Sequence, residues 1–194
     1  MKKLLLLIVL FVLVGCTSTP EKHEKILLPG ATLKDVTETL ESLELNIIKT
    51  PEAPDPNKTG MISWRGEKNI QTETSKIRIL CDIFGYSENE ICSIYVSVIM
   101  RGNNGAFSKS DLERFETETL KILPCVGRIP FEGVNGADVG KWVENTLKTP
   151  IGESANSRNK VNGIVYSISG SKDNSKHAPS QNKGISINYD TPHD

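Results

Sequence analysis

Two stretches with a period of two constrain this chain more than any other feature. In the first, Ile77, Ile79, Cys81 and Ile83 alternate with Lys76, Arg78 and Asp82; in the second, Cys92, Ile94, Val96, Val98 and Met100 alternate with Ser93, Tyr95, Ser97 and Arg101. Successive side chains of an extended backbone point to opposite faces, so the pattern describes strands that bury one side and wet the other. Leu80 and Phe84 break the polarity of the first run, and Gly85 and Ser87 sit in the segment that joins the two. The pair reads as a β-hairpin whose apolar face has to be covered by other elements.

Amphipathic helices supply the cover. Leu33, Val36, Leu40, Leu43 and Ile47 recur at three- and four-residue steps, which predicts a helix over 33–45. Thr32 with Asp35 forms a capping pair at its start, and Lys34, Glu38, Glu41 and Glu44 form a solvated outer face. Ser110 with Glu113 predicts the start of a second helix over 110–123, with Leu112, Phe115, Thr119, Ile122 and Leu123 inward and Pro124 as its stop. A third, over 137–147, places Val139, Trp142, Val143 and Leu147 on one face. Further strands are expected at 61–65, 161–169 and 185–189. Pro51, Pro54 and Pro56 make 49–59 an extended loop, Asn103-Asn104-Gly105 a turn, and the polar stretch 170–184 reads as a mobile loop. The resulting order is α-β-β-β-α-α-β-β. Strands in consecutive groups predict an α+β two-layer sandwich, an antiparallel sheet of about five strands with about three helices on one face.

The first residues have a different character. Met1-Lys2-Lys3 is cationic, residues 4–14 are an unbroken apolar run of eleven, and polar Thr17-Ser18-Thr19 follows Cys16. Such a run is too short for a bilayer-spanning helix, which needs about 20 residues, but suits the apolar core of a secretory signal. Leu13-Val14-Gly15-Cys16 resembles the lipobox of bacterial lipoproteins. The resemblance covers residues 1–16 only. It implies diacylglycerol transfer to the Cys16 sulfur, cleavage between Gly15 and Cys16, and palmitate-type acylation that makes the membrane the partner at this end. Thr17, where a retention signal would place Asp, implies the outer membrane, facing the periplasm, in a Gram-negative host. The domains expected are therefore a signal peptide (1–15), a lipidated tether (16–30) and one α+β domain (31–190). A formal net charge of −1 and a pI near 6.3 argue against a nucleic-acid partner, which usually meets a basic stripe.

Three cysteines remain beyond Cys16: Cys81, Cys92 and Cys125. Placing Cys81 opposite Cys92 also sets Ile79 opposite Ile94 and Ile77 opposite Val96, so that both apolar faces coincide. Directly opposed α-carbons lie about 4.5–5.5 Å apart, within disulfide range. A Cys81–Cys92 bond is expected on this register, with two buried thiols as the alternative and Cys92–Cys125 as the next pairing. Cys125 follows Pro124 at a helix C-terminus, which disfavours a thiolate.

His23, His177 and His193 fall in the tether, a loop and the tail, where nothing holds a general base. No zinc spacing, phosphate loop or Gly-x-Ser-x-Gly is present, so no metal, cofactor or catalytic residue is assigned. Asp111 with Glu113 and Glu116 with Glu118 read as solvated helix surface. Trp142 reads as core, and Trp64 with Arg65 as a strand pair that packs at an edge or forms a contact surface. The expectation is a non-enzymatic binding or scaffolding lipoprotein with an envelope protein or polymer as partner. The alternatives are an inhibitor or immunity lipoprotein that inserts loop 49–59 or 170–184 into an enzyme, and an envelope hydrolase using scattered carboxylates.

Overall fold

The computed structural model describes residues 25–52, 60–102, 107–149, 154–174 and 179–190. The signal peptide, Gly15, Cys16 and the three histidines lie outside them. Helix α1 (Leu33–Glu41) opens as its sequence predicts: the Thr32 hydroxyl accepts the Asp35 amide at 3.2 Å and donates to the Asp35 carboxylate at 2.6 Å. It ends four residues before the expected 45. Glu44 takes a left-handed φ of 63°, and the Leu45 amide donates to the Leu40 carbonyl at 3.1 Å. That bond satisfies an orphan carbonyl of the last turn and releases the chain into a strand.

The remaining elements are β1 (Asn46–Glu52), β2 (Ile62–Gln71), β3 (Ser75–Ser87), β4 (Glu90–Gly102), α2 (Lys109–Gly127), α3 (Gly136–Lys148), β5 (Ser154–Val161), β6 (Ile164–Asp173) and β7 (Ser180–Tyr189). All seven strands form one antiparallel sheet in the order β1-β2-β3-β4-β7-β6-β5. Among the described residues the α+β class, the antiparallel sheet and the three helices are as expected. The strand count is seven rather than five, and the element order is α-β-β-β-β-α-α-β-β-β. The two extra strands, β1 and β5, are the two edges of the sheet. Pro51 falls within β1, an edge where a missing amide donor is tolerated.

Three local expectations are corrected. Helix α2 is capped by Ser108, whose hydroxyl accepts the Asp111 amide at 3.1 Å, two residues before the expected Ser110. It also runs through Pro124 to Gly127. Proline removes a single backbone bond there, while Ile122, Leu123 and Val126 on the same stretch are completely buried, and their burial outweighs the lost bond. The polar stretch 170–184 is mostly strand, because β6 runs to Asp173 and β7 begins at Ser180.

The core lies between the helices and one face of the sheet. Ile77, Ile79, Ile83, Ile94, Val96, Val98, Ile185 and Ile187 come from the strands, and Val36, Leu40, Phe115, Ile122 and Val143 from the helices. Helix α2 packs on β4, on β7 and against α3. Each fully buried aliphatic contributes about 1.5–3 kcal/mol. The chain ahead of α1 is held too: Leu28 is buried, its amide donates to the Ile91 carbonyl at 2.7 Å, and Lys25 bonds Glu90 at 2.9 Å.

Candidate binding face

Strand register places the residues that alternate with the core on the opposite side of the sheet. Arg65, Asp82, Tyr95, Ser186 and Ser167 form one cross-strand row, and Glu67, Leu80, Ser97, Gly184 and Ser169 the next. Asn69, Arg78, Ile99 and Asn182 follow, then Gln71, Lys76, Arg101 and Ser180. No helix among the described residues covers these rows. The centre of the face is built from small residues. A β-carbon on Gly184 would lie 3.4 Å from the Tyr95 hydroxyl, so the tyrosine leans across the glycine.

Charge on this face is uneven. Arg65 pairs with Asp82 directly opposite it at 2.7 Å, and Arg78 pairs with Glu67 at 2.6 Å. Asn69 also donates to Glu67. The hydrogen bonds from Arg78 and Asn69 hold the Glu67 carboxyl below its ordinary range. At the Lys76 end, a cleft of about 360 Å³ is lined by Glu67, Lys76, Arg78, Ile99 and Arg101. That volume is at the lower end of what small-ligand sites enclose.

The other sequence candidates are dispersed. Trp64 is only 2 % exposed on the helix side of β2, which makes it core, while its neighbour Arg65 faces outward. Trp142 is partly buried against the core. Leu112 is exposed at 36 %, outside the inward stripe of α2. The acidic pairs of α2 are split by burial rather than uniformly solvated. Asp111 and Glu118 are buried, the first bonded by Thr74 and the second paired with Arg114 at 2.8 Å. Burial pushes the Asp111 carboxyl up, but hydrogen bonds from Thr74, Thr72 and Ser108 together hold it below the ordinary value. Every shifted carboxyl among the described residues moves downward: Glu44, Glu67, Glu90, Asp111 and Glu144.

Lys183 belongs to the polar stretch 170–184, yet it points inward from β7. Its ammonium binds both Glu116 oxygens at 2.8 Å and sits 6.0 Å from the Phe115 ring centroid. Its neighbour across β6 is Gly170, which leaves room for the long side chain. Period two carried through 181–189 would have revealed this strand. Asn162-Gly163, with φ of 49° and 80°, is likewise the hairpin turn between β5 and β6, and that dipeptide was a legible signal for β5.

The cysteines do not meet. Cys81 stands opposite Val96, with Ile79 opposite Val98 and Ile83 opposite Ile94, so the β3–β4 register is four residues from the expected one. Both registers keep the same apolar face inward. The observed one closes on a tight turn after Ser87, and a bulge at Gly85 leaves Cys92 out of the ladder. Only glycine fits at that bulge, since a β-carbon would lie 2.5 Å from the Glu90 carbonyl oxygen. Four residues of strand separate Cys92 from the position opposite Cys81. At about 3.3 Å per residue that is roughly 13 Å, beyond disulfide reach. Cys81, Cys92 and Cys125 all carry free thiols. Burial pushes the Cys81 thiol far above its ordinary range, and burial followed by the Glu90 charge raises that of Cys92. Maleimide labelling of the native protein is expected to modify Cys92 slowly and Cys81 only after denaturation, with identical gel mobility with and without reductant. A reductant-dependent mobility shift in the monomer would contradict this register.

No group of three or more potential metal-ligating side chains occurs among the described residues, and no helix among them is long and apolar enough to cross a membrane. Among the described residues the geometry is an α+β sandwich whose helices leave one sheet face uncovered. Comparison of the chain with protein-family models, with curated sequences and with solved structures found no match.

Proposed function

We propose that this protein is a membrane-tethered binding module of the bacterial cell envelope, anchored by lipid on Cys16. It engages an envelope protein or polymer through the open face of its sheet. One observation carries the reading: among the described residues all seven strands lie in a single sheet, yet the helices occupy only one of its two faces. Antiparallel sheets tolerate a solvated face. Here that face combines a central tyrosine, small residues and a cluster of cations, a surface suited to contact. Among the described residues the downward shift of each perturbed carboxyl counts against the hydrolase alternative, because a carboxyl that donates a proton near neutral pH needs its pKa raised. The inhibitor alternative loses most of one of its insertion loops to β6 and β7.

The test is site-specific photo-cross-linking in the native envelope. A cross-linker in place of Tyr95 is expected to give one discrete adduct, and one in place of exposed Lys141 on α3 none. Adducts from Lys141 alone, or from neither position, would refute use of the open face.

A further inference from the structure

We infer that the cleft at Lys76, Arg78 and Arg101 binds a phosphate monoester on a small soluble ligand, which goes beyond the binding reading above and rests on it only for the orientation of the site. Lys76 and Arg101 stand directly opposite each other across β3 and β4. Such pairs have α-carbons about 4.5–5.5 Å apart, and like charges so placed destabilise a sheet. Arg78 adds a third cation on the same face, diagonal to Arg101. The one carboxylate in the cleft, Glu67, is engaged by Arg78 at 2.6 Å. Among the described residues neither Lys76 nor Arg101 makes an ion pair. Glu67 offsets part of this charge, since its carboxylate also feels Lys76; the repulsion that remains sits at a concave, solvent-open position, and an anion placed between the two strands relieves it.

The charge excess selects the class of anion. Three cations against one carboxylate leave two positive charges. A phosphate monoester carries about −1.5 to −2 at neutral pH, whereas a carboxylate or a phosphodiester carries a single charge. Two guanidinium forks and an ammonium match phosphate oxygens in geometry as well as charge. Ile99 supplies an apolar wall for the carbon skeleton next to the phosphate.

Position selects the source. The tether enters at the other end of the same strands, where Lys25 bonds Glu90 at 2.9 Å beside the β3–β4 turn. Along β4 from Glu90 to Arg101 the rise is about 36 Å at 3.3 Å per residue. The cleft thus lies at the far end of β4 from the first described residues, which favours soluble ligands over headgroups of the anchoring bilayer.

The test uses the full-length chain in non-ionic detergent, titrated calorimetrically at low salt with glycerol phosphate, with inorganic phosphate, and with vesicles of phosphatidylglycerol. Saturable one-site binding of glycerol phosphate is expected, weakened at least about tenfold by either K76Q or R101Q, as loss of a charged hydrogen bond predicts. In phosphate-free buffer R101Q is expected to melt no lower than the parent, because it removes repulsion. Glycerol phosphate should raise the melting temperature of the parent but not of R101Q. Absence of saturable binding, binding by both variants as tight as the parent's, binding of inorganic phosphate alone, or binding to vesicles alone would each overturn the assignment. Failure here with Tyr95 adducts intact removes only the phosphate ligand. Phosphate binding without any envelope adduct removes only the envelope partner.

Discussion

Trp64→Ala is expected to lower the unfolding free energy by about 3–5 kcal/mol, the range for removing a buried tryptophan from a close-packed core. Trp64 is fully enclosed on β2, opposite Ile83 of β3, and it belongs to the same buried cluster as Leu45, Ile47 and Ile79. Removing the indole forfeits apolar transfer energy and leaves a void that a sheet paired on both sides of β2 closes only in part. Against a total stability of about 5–15 kcal/mol, the loss leaves the domain marginal. Urea denaturation followed by circular dichroism measures it, with Trp64→Phe as a milder companion that keeps most of the volume. A loss below about 1 kcal/mol for the alanine variant would place the side chain outside the core. Under the contact-surface alternative, Trp64→Ala would instead leave stability unchanged and reduce partner capture.

Cys16→Ser is expected to abolish palmitate incorporation and with it the acyl anchoring of the protein to membranes. A single acyl chain gives only marginal, reversible attachment, whereas two or three give stable anchoring at about 0.8 kcal/mol per buried methylene. No partial phenotype is expected, since serine offers no thiol for the lipid transfer that precedes cleavage. Fractionation with an alkaline carbonate wash, together with mass spectrometry of the mature amino terminus, reads the result. The serine variant should melt at the same temperature as the parent in detergent, since the buried cluster of the described residues is built from Leu28 onward. Continued labelling of the serine variant, or native protein that retains residues 1–15 in the cytosol, would remove the anchor from the account.

The parts of the fold legible in the sequence were those with local causes. The alternation in β3 and β4 follows directly from one-sided burial, and the Thr32–Asp35 cap from the needs of free amides at a helix start. The open face was implicit in the same alternation, since Lys76, Arg78, Ser97 and Arg101 occupy the polar phase of those strands. What could not be seen was that Lys76 and Arg101 face each other. Their juxtaposition depends on register, and the two registers considered differ by four residues while hiding the same side chains. A shift by an even number leaves the hydrophobic pattern satisfied, so the pattern cannot choose between them.

The edge strands show the same division. In β5 the residues 154–161 are polar almost throughout, and nothing periodic marks them as extended; their conformation comes from backbone pairing with β6. The helical path through Pro124 and the inward turn of Lys183 towards Glu116 are likewise settled by neighbours distant in sequence. By itself the sequence determined which faces are buried, where α1 is capped, the α+β class and the lipobox-like start, because each rests on spacing along the chain. Only the tertiary structure decided the register, the edge strands, the separation of the three thiols and the meeting of three cations. Those depend on which strands and helices lie side by side, and cross-strand hydrogen bonds and packing set that without leaving a local mark.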